Sequence, residues 1–235
     1  MKRMVAMEAV ILRKYLRQMI LTSVFVAVCV TLGGMTLVSV PLMMCFMVTF
    51  GAMTSLSAYD EQNNWAIYRL TMPVSKRDVV FGRYAFIACI AFCFSMAATL
   101  VCLLLSVLGW NVELPDFLST MLLSSTEDLI GLAALYVVGV GMASLLASIC
   151  LPAFFALGQT KATQWLPLIM LAMSVAPIFA LDYLSSKMIA LGQAFEFLLQ
   201  PSNLLFACVG VLVASAVLYI ASAFISVHLY ERREL

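Results

Sequence analysis

The sequence predicts an all-α polytopic membrane protein with six transmembrane helices. Hydrophobic residues make up 64% of the 235 residues and charged residues only 11%, whereas a soluble domain is typically about a quarter charged. Long runs without Asp, Glu, Lys or Arg supply the second observation, since a helix needs about 20 apolar residues to cross a bilayer. Lipid cannot satisfy an open backbone, so these runs are expected to be helices. The short alternating segments of a β-barrel are absent.

The charge-free runs divide a single transmembrane domain, residues 1–235, into spans. The first run, 18–59, is about twice the length that one crossing needs. It is interrupted at Gly33-Gly34 and at Pro41, so it is expected to form two spans joined by a tight hairpin. Each of the other four runs gives one span. The predicted spans are 18–38, 42–59, 84–108, 129–153, 165–183 and 203–227.

Residues 1–17 precede the first span and carry several basic residues. As a helix, this segment separates an apolar face from a basic one, which is typical of a helix lying in the membrane interface. The apolar face holds Met4, Met7, Ile11 and Tyr15, and the basic face holds Arg3, Lys14 and Arg17. A plain positively charged anchor ahead of the first span is the alternative. A signal peptide is disfavoured because the apolar run is too long and no cleavage site follows.

The basic residues predict the orientation. All thirteen Lys and Arg residues except Lys187 fall on one side of the predicted spans. Cytoplasmic loops of membrane proteins carry an excess of Lys and Arg, so this side is expected to be cytoplasmic. Both termini and the segment 59–83 are therefore predicted to lie in the cytoplasm.

The sequence lacks the residues that several classes of function require. No phosphate-cradling G-x-x-x-x-G-K-[ST] motif occurs, so the chain is not expected to bind ATP by itself. His228 is the only histidine, which disfavours metal-dependent and Ser-His-Asp chemistry. Ion-coupled carriers usually need ionisable groups near the midplane, and here Asp60 and Asp182 sit only at span ends. The seven cysteines lie in apolar runs and are read as packing residues, with no metal site expected.

Small residues recur four apart in three of the predicted spans. Such spacing lets helix backbones approach closely, within one chain or between two chains. The ladders are Ala91-Ser95-Thr99, Gly139-Ala143-Ala147 and Gly210-Ala214.

The longest polar stretch is 58–78, AYDEQNNWAIYRLTMPVSKRD, between the second and third predicted spans. Residues 60–71 are expected to form a short helix with Asp60 and Glu61 at its start, where the helix dipole favours negative charge, and Pro73 stops it. Ser75 is the expected N-cap of the third span, with Asp78 three residues on. The short helix is either an interfacial anchor or a knob that inserts into a protein groove. The candidate docking residues are Asp60, Glu61, Asn64, Trp65, Tyr68, Arg69, Met72 and Pro73.

This segment resembles the signature of bacterial ABC (ATP-binding cassette) permeases of the second, exporter-like type. In that family an acidic start, an aromatic residue and an L-P-V-S-[KR] stretch connect the second and third of six spans. Here the matching residues are Tyr59-Asp60-Glu61, Trp65, Tyr68 and 70–78, LTMPVSKRD. Leu151-Pro152 and Phe154-to-Gly158, followed by Lys161, are similar to the family's second cytoplasmic loop.

The resemblance implies the transmembrane subunit of an ATP-driven exporter in the bacterial cytoplasmic membrane. Such a subunit pairs with a second permease copy or paralogue and with two separate cassette ATPases. The chain itself would be neither an enzyme nor a cofactor-binding protein, because ATP and Mg²⁺ belong to the ATPases. Residues 60–73 would be the coupling helix seated in the ATPase, with Gly158 and Lys161 as a possible second contact. The loop 184–200 either dips into the outer leaflet or lies at the surface.

The cargo is not readable from the sequence, although a path poor in charge fits a hydrophobic or amphipathic molecule. No nucleic-acid partner is expected. Whether two copies or two paralogues pair is open. The alternatives are a polytopic membrane enzyme, for which Asp116, Glu127 and Asp128 are the only clustered polar candidates, and a non-transporting scaffold or sensor subunit.

Overall fold

The structure, a computed structural model, confirms the all-α prediction: the described residues are 96% helical and contain no strand. It describes residues 2–33, 37–62, 65, 68, 75–110, 122–123, 126–158, 160–162, 164 and 203–232. Five long helices account for most of them. They are α1 (Lys2–Leu32), α2 (Val40–Gln62), α3 (Lys76–Trp110), α4 (Thr126–Leu157) and α5 (Leu204–Arg232).

The predicted break between the first two spans is confirmed. α1 ends at Leu32, where the amide of Gly33 still donates to the carbonyl of Cys29 at 3.0 Å. A short 3₁₀ turn, Leu37–Ser39, leads into α2. Pro41 lies in the first turn of α2, where its missing N–H removes no helical hydrogen bond.

Residues 2–17 form the first half of α1 rather than a separate helix, since α1 runs without interruption from Lys2 to Leu32. The predicted apolar face is present, but it packs on protein. Met4 and Ile11 are buried among residues of α2 and α3. Gly82 permits this approach, because a Cβ there would lie 2.7 Å from the Cβ of Met4.

α2, α3, α4 and α5 are each long and apolar enough to cross a membrane. At about 1.5 Å per residue, the 35 residues of α3 extend about 52 Å, well beyond a hydrocarbon core of about 30 Å. The predicted span 18–38 corresponds to the apolar second half of α1, and the predicted span 165–183 lies outside the described residues. Six crossings therefore stay a prediction.

One end of the bundle carries Lys76, Arg77 and Arg232 and is called here the basic end. The largest buried cluster lies there and joins Met4 of α1 with residues of all four other helices. Away from this end, large apolar side chains face outward on the described helices. Phe25, Phe206 and Val217 are 69%, 71% and 61% exposed, as expected for surfaces whose solvent is lipid.

The small-residue ladders divide into two groups. Ala143 and Ala147 are fully buried, and a Cβ at Gly139 would lie 3.1 Å from the Cα of Leu42 in α2. Ala91 and Ser95 are buried as well. Those two ladders pack helices within the chain. Gly210 in contrast has no described atom near the position of a Cβ, so its ladder faces away from the described helices.

Candidate functional site

Asp60 and Glu61 lie within α2 (Val40–Gln62), and Trp65 and Tyr68 beyond it are helical too. The expectation that they begin a separate helix is therefore wrong. Both residues lie far from the start of α2, so the helix dipole does not stabilise these carboxylates, and they need cationic or hydrogen-bonding partners. Both have them. Asp60 Oδ2 lies 2.8 Å from Arg83 Nη1, and Glu61 Oε2 accepts a bond from the amide of Thr160 at 3.0 Å.

Arg83 of α3 lies between two carboxylates from two other helices. Its Nε and Nη2 donate to Glu8 Oε1 at 3.2 and 2.9 Å, and Nη2 also donates to Oε2 at 3.2 Å. Glu8, Asp60 and Arg83 are called here the buried ion triad. Their side chains are 1%, 14% and 3% exposed. The triad joins the first half of α1, the end of α2 and the beginning of α3.

An aromatic ring covers the guanidinium of the triad. The Arg83 Cζ lies 5.6 Å from the ring centroid of Phe155 near the end of α4. These side chains are buried, so their charges are stabilised by protein partners rather than by water. Removal of one charge leaves the others buried and unpaired. The basic ends of α1 to α4 are thereby held as one unit.

Glu61 connects the end of α2 to the segment after α4. The Thr160 hydroxyl also donates to the same Glu61 oxygen as the Thr160 amide. α4 ends because Gly158 adopts a left-handed conformation, with φ of 77°, and its amide donates to the carbonyl of Phe154 at 3.0 Å. Gly158 is buried and acts as a helix terminator, whereas Lys161 is exposed. The Glu61–Thr160 bond therefore brings the predicted docking segment next to Gly158 and Lys161, the predicted second cytoplasmic contact.

Trp65 and Tyr68 are helical, and their ring centroids lie 5.2 Å apart, as an i,i+3 spacing predicts. Trp65 also meets the edge of Tyr59 at 6.0 Å. With Tyr59 it lines a cavity of about 330 Å³ whose other wall is α1, at residues 6–11. Tyr68 points outward and is 56% exposed. Of this pair, Tyr68 is therefore the ring available to another protein.

The predicted cap of α3 is confirmed. The Ser75 hydroxyl accepts a bond from the Asp78 amide at 3.1 Å and donates to Asp78 Oδ2 at 2.9 Å. This cap fixes where the segment after α2 re-enters the bundle. The other predicted docking residues, Asn64, Arg69, Met72 and Pro73, lie outside the described residues.

Sequence reasoning missed a polar network between α3, α4 and α5. Pro152 has no N–H, so the carbonyl of Ser148 loses its helical partner, and the Ser222 hydroxyl of α5 donates to that carbonyl at 2.6 Å. Ser222 also lies 2.8 Å from the Tyr84 hydroxyl, which lies 2.7 Å from that of Ser226. Since each hydroxyl has one proton, Tyr84 donates to Ser222 and Ser226 donates to Tyr84. Pro152 inside a helix was the sequence signal for this network.

Comparison with protein-family models gives one match, the ABC-2 family transporter protein, over residues 4–231. The comparisons with curated proteins and with solved structures give no significant match. The matched region contains the buried ion triad, the Glu61–Thr160 contact and nearly the whole of each of the five helices. Members of this family are membrane-embedded transport subunits without catalytic activity of their own. Since the match covers nearly the whole chain, the protein belongs to the ABC-2 transporter family and is a type-2 ABC permease.

Proposed function

We propose that the chain is the transmembrane subunit of an ATP-driven exporter in a bacterial plasma membrane, with both termini in the cytoplasm. Two such permease chains, identical or paralogous, form the translocation path between them. Two separate cassette ATPases bind ATP and Mg²⁺ and dock on the 60–73 segment of each permease. Family membership supports the transport role. The bias of Lys and Arg to one side supports the orientation.

The observation that carries the coupling proposal is the link between the docking segment and the helices. Glu61 bonds Thr160, and one residue before it Asp60 pairs with Arg83 of the buried ion triad. A push on residues 60–73 therefore reaches α1 and α3 through the buried ion triad, and the segment after α4 through the exposed Glu61–Thr160 contact. The triad transmits displacement because a buried charge does not separate from its partner at low cost.

The ATPase contact is proposed to centre on Tyr68, with Lys161 at its edge. An exposed tyrosine on a short helix supplies a large, rigid contact at small entropic cost, and tyrosine is enriched among residues that dominate binding energy. The Trp65 ring contacts both Tyr68 and Tyr59. It also lines the cavity next to α1. Asn64, Arg69, Met72 and Pro73 complete the proposed surface. The absence of charge along the predicted spans favours a hydrophobic or amphipathic cargo.

Replacement of Tyr68 by alanine tests the docking surface. The permease is purified with its cassette ATPase, and capture of the ATPase and ATPase activity in proteoliposomes are measured. Tyr68→Ala is expected to weaken capture by about tenfold, which corresponds to about 1.4 kcal/mol. Phe206→Ala is the matched control, because Phe206 is 71% exposed at the far end of α5. Full capture by Tyr68→Ala, or no cassette ATPase on the wild-type chain, contradicts the proposal. If the wild-type chain captures the ATPase but does not change its rate of ATP hydrolysis, the chain is a scaffold subunit instead.

A further inference from the structure

A second cavity lies at the basic end, between the beginning of α3 and the end of α5. Its volume is about 310 Å³, which is within the range of small-ligand sites. It is separate from the docking surface around Trp65 and Tyr68. Its lining residues are Arg77, Phe81, Phe224, Val227, His228 and Glu231.

The lining changes from apolar to charged toward the basic end. On α5 the lining positions 224, 227, 228 and 231 fall on one helical face, and the apolar pair precedes the polar pair. On α3 the charged residue also lies nearer the basic end, because Arg77 is one turn nearer the helix start than Phe81. The rings of Phe81 and Phe224 meet edge to face at 5.6 Å and form the floor. This gradient matches a lipid whose acyl chain lies along the floor and whose headgroup lies at the helix ends.

The polar part of the cavity holds both signs of charge. Arg77 Nε lies 3.0 Å from Glu231 Oε1, and the two side chains are 71% and 40% exposed. A guanidinium has five N–H donors, so a contact through Nε leaves donors for a second acceptor. Lys76 adds a further cation, with its Nζ 3.4 Å from the backbone carbonyl of Glu231. His228 is exposed on the same face.

We propose that this cavity binds a zwitterionic phospholipid with a primary amine in its headgroup. The phosphate accepts hydrogen bonds from Arg77 and His228, and the ammonium donates to Glu231. One acyl chain follows Phe81, Phe224 and Val227 into the membrane. Basic pockets between transmembrane helices bind lipid headgroups. The carboxylate selects among them: it repels a purely anionic headgroup, and a choline headgroup has no N–H to donate.

The lipid proposal is tested on the full-length chain in detergent by native mass spectrometry. Phosphatidylethanolamine, phosphatidylcholine and phosphatidylglycerol are added separately at equal concentration, and the retained lipid is counted. Phosphatidylethanolamine is expected to be retained about tenfold more than either of the others, since one charge-assisted hydrogen bond suffices for that ratio. Equal retention of the three lipids overturns the proposal, as does preferential retention of phosphatidylglycerol.

Variants assign the headgroup contacts. Glu231→Gln is expected to abolish the preference for phosphatidylethanolamine over phosphatidylcholine, and Arg77→Gln to lower retention of both. Arg232→Gln is the control, because Arg232 is equally near the helix end but does not line the cavity. If Arg77→Gln disturbs packing of α3 on α5, His228→Gln at the exposed position gives an independent reading of phosphate binding. Loss of retention in Arg232→Gln equal to that in the others overturns the assignment.

A protein contact is the competing occupant. Labelling of Arg232→Cys, which lies beside the cavity and is not a proposed headgroup contact, with a soluble thiol reagent distinguishes the two, after the native exposed cysteines have been replaced. Protection by phosphatidylethanolamine in the absence of any partner protein is expected. Protection by the ATPase partner alone overturns the lipid assignment. This result is independent of the Tyr68 test, which reads ATPase capture at a different surface.

Discussion

Arg77 and Arg83 lie six residues apart on α3 and each pairs with a carboxylate, yet their surroundings differ. The Arg83 side chain is 3% exposed and the Arg77 side chain is 71% exposed. An ion pair exposed to water adds little stability, because solvent screens both charges and the two side chains lose conformational freedom. In a dry site the cost of an unpaired charge is large. The same residue type is therefore expected to serve stability at one position and binding at the other.

Arg83→Gln should destabilise the protein by about 3–5 kcal/mol, because it leaves Glu8 and Asp60 without their cation in a buried site. Arg77→Gln, the matched control on the same helix, should cost less than about 1 kcal/mol. Unfolding of both variants in the same detergent micelles gives the comparison. Similar losses for the two variants would contradict the assigned burial. The triple variant Glu8→Leu, Asp60→Leu, Arg83→Met should recover most of the loss, since it removes all three charges together.

At the residue scale, local chemistry was predictable and long-range pairing was not. The Ser75 cap of α3 follows from a hydroxyl three residues before an acidic residue. Glu8 offered a signal that was overlooked, since it falls on the same helical face as Met4 and Ile11, and a carboxylate on an apolar face needs a partner. The partner, Arg83, is 75 positions away, and nothing in the sequence identifies it among the other basic residues.

At the scale of elements, Pro152 of α4 leaves a backbone carbonyl that α5 satisfies, so the two helices depend on each other for this hydrogen bond. The Ser148 carbonyl that Pro152 leaves unpaired is satisfied from α5 by Ser222. Inside a bilayer no water replaces a lost partner, so the hydroxyl stabilises the pair of helices and also fixes their register. Tyr84 of α3 joins the same network through Ser222 and Ser226.

A double-mutant cycle tests this dependence. Ser222→Ala should destabilise the protein by about 0.6–1.7 kcal/mol, from the average to the largest value that double-mutant cycles give for hydrogen bonds between helices in membranes. In a Pro152→Ala background the same change should cost clearly less, because the amide at position 152 then donates to the Ser148 carbonyl. Ser144→Ala is the control, since the Ser144 hydroxyl bonds the Val140 carbonyl within α4. An unchanged cost of Ser222→Ala in both backgrounds would show that Pro152 is not the reason for the contact.

The helices themselves were largely predictable because charge-free length decides what a bilayer accepts. The break between α1 and α2 followed from glycine and proline. The helix start at Asp60 was wrong because dipole reasoning placed acidic residues in a first turn, whereas Arg83 and Thr160 stabilise them within α2. Helix dipole preferences of about 0.3–1 kcal/mol are easily exceeded by a direct ion pair.

At the scale of the whole molecule, the polar contacts are unevenly distributed along the bundle. The described inter-helix ion pairs lie at the basic end, and the largest buried cluster surrounds them. The opposite ends of the described helices meet mainly through apolar side chains. This arrangement suits a permease whose motor is attached at the basic end.

The proposal requires the basic end to face the cytoplasm, and cysteine labelling checks this. Lys161→Cys and Lys187→Cys are introduced separately into a chain whose seven native cysteines are replaced by alanine. In intact cells a membrane-impermeant maleimide should label Lys187→Cys, whereas Lys161→Cys should react only after permeabilisation. The physical reason is the excess of Lys and Arg in cytoplasmic loops over translocated ones. Lys161 is exposed after α4, so its modification needs no unfolding. Labelling of Lys161→Cys in intact cells would place the basic end outside, where no ATP-driven subunit reaches it, and the coupling scheme would fail.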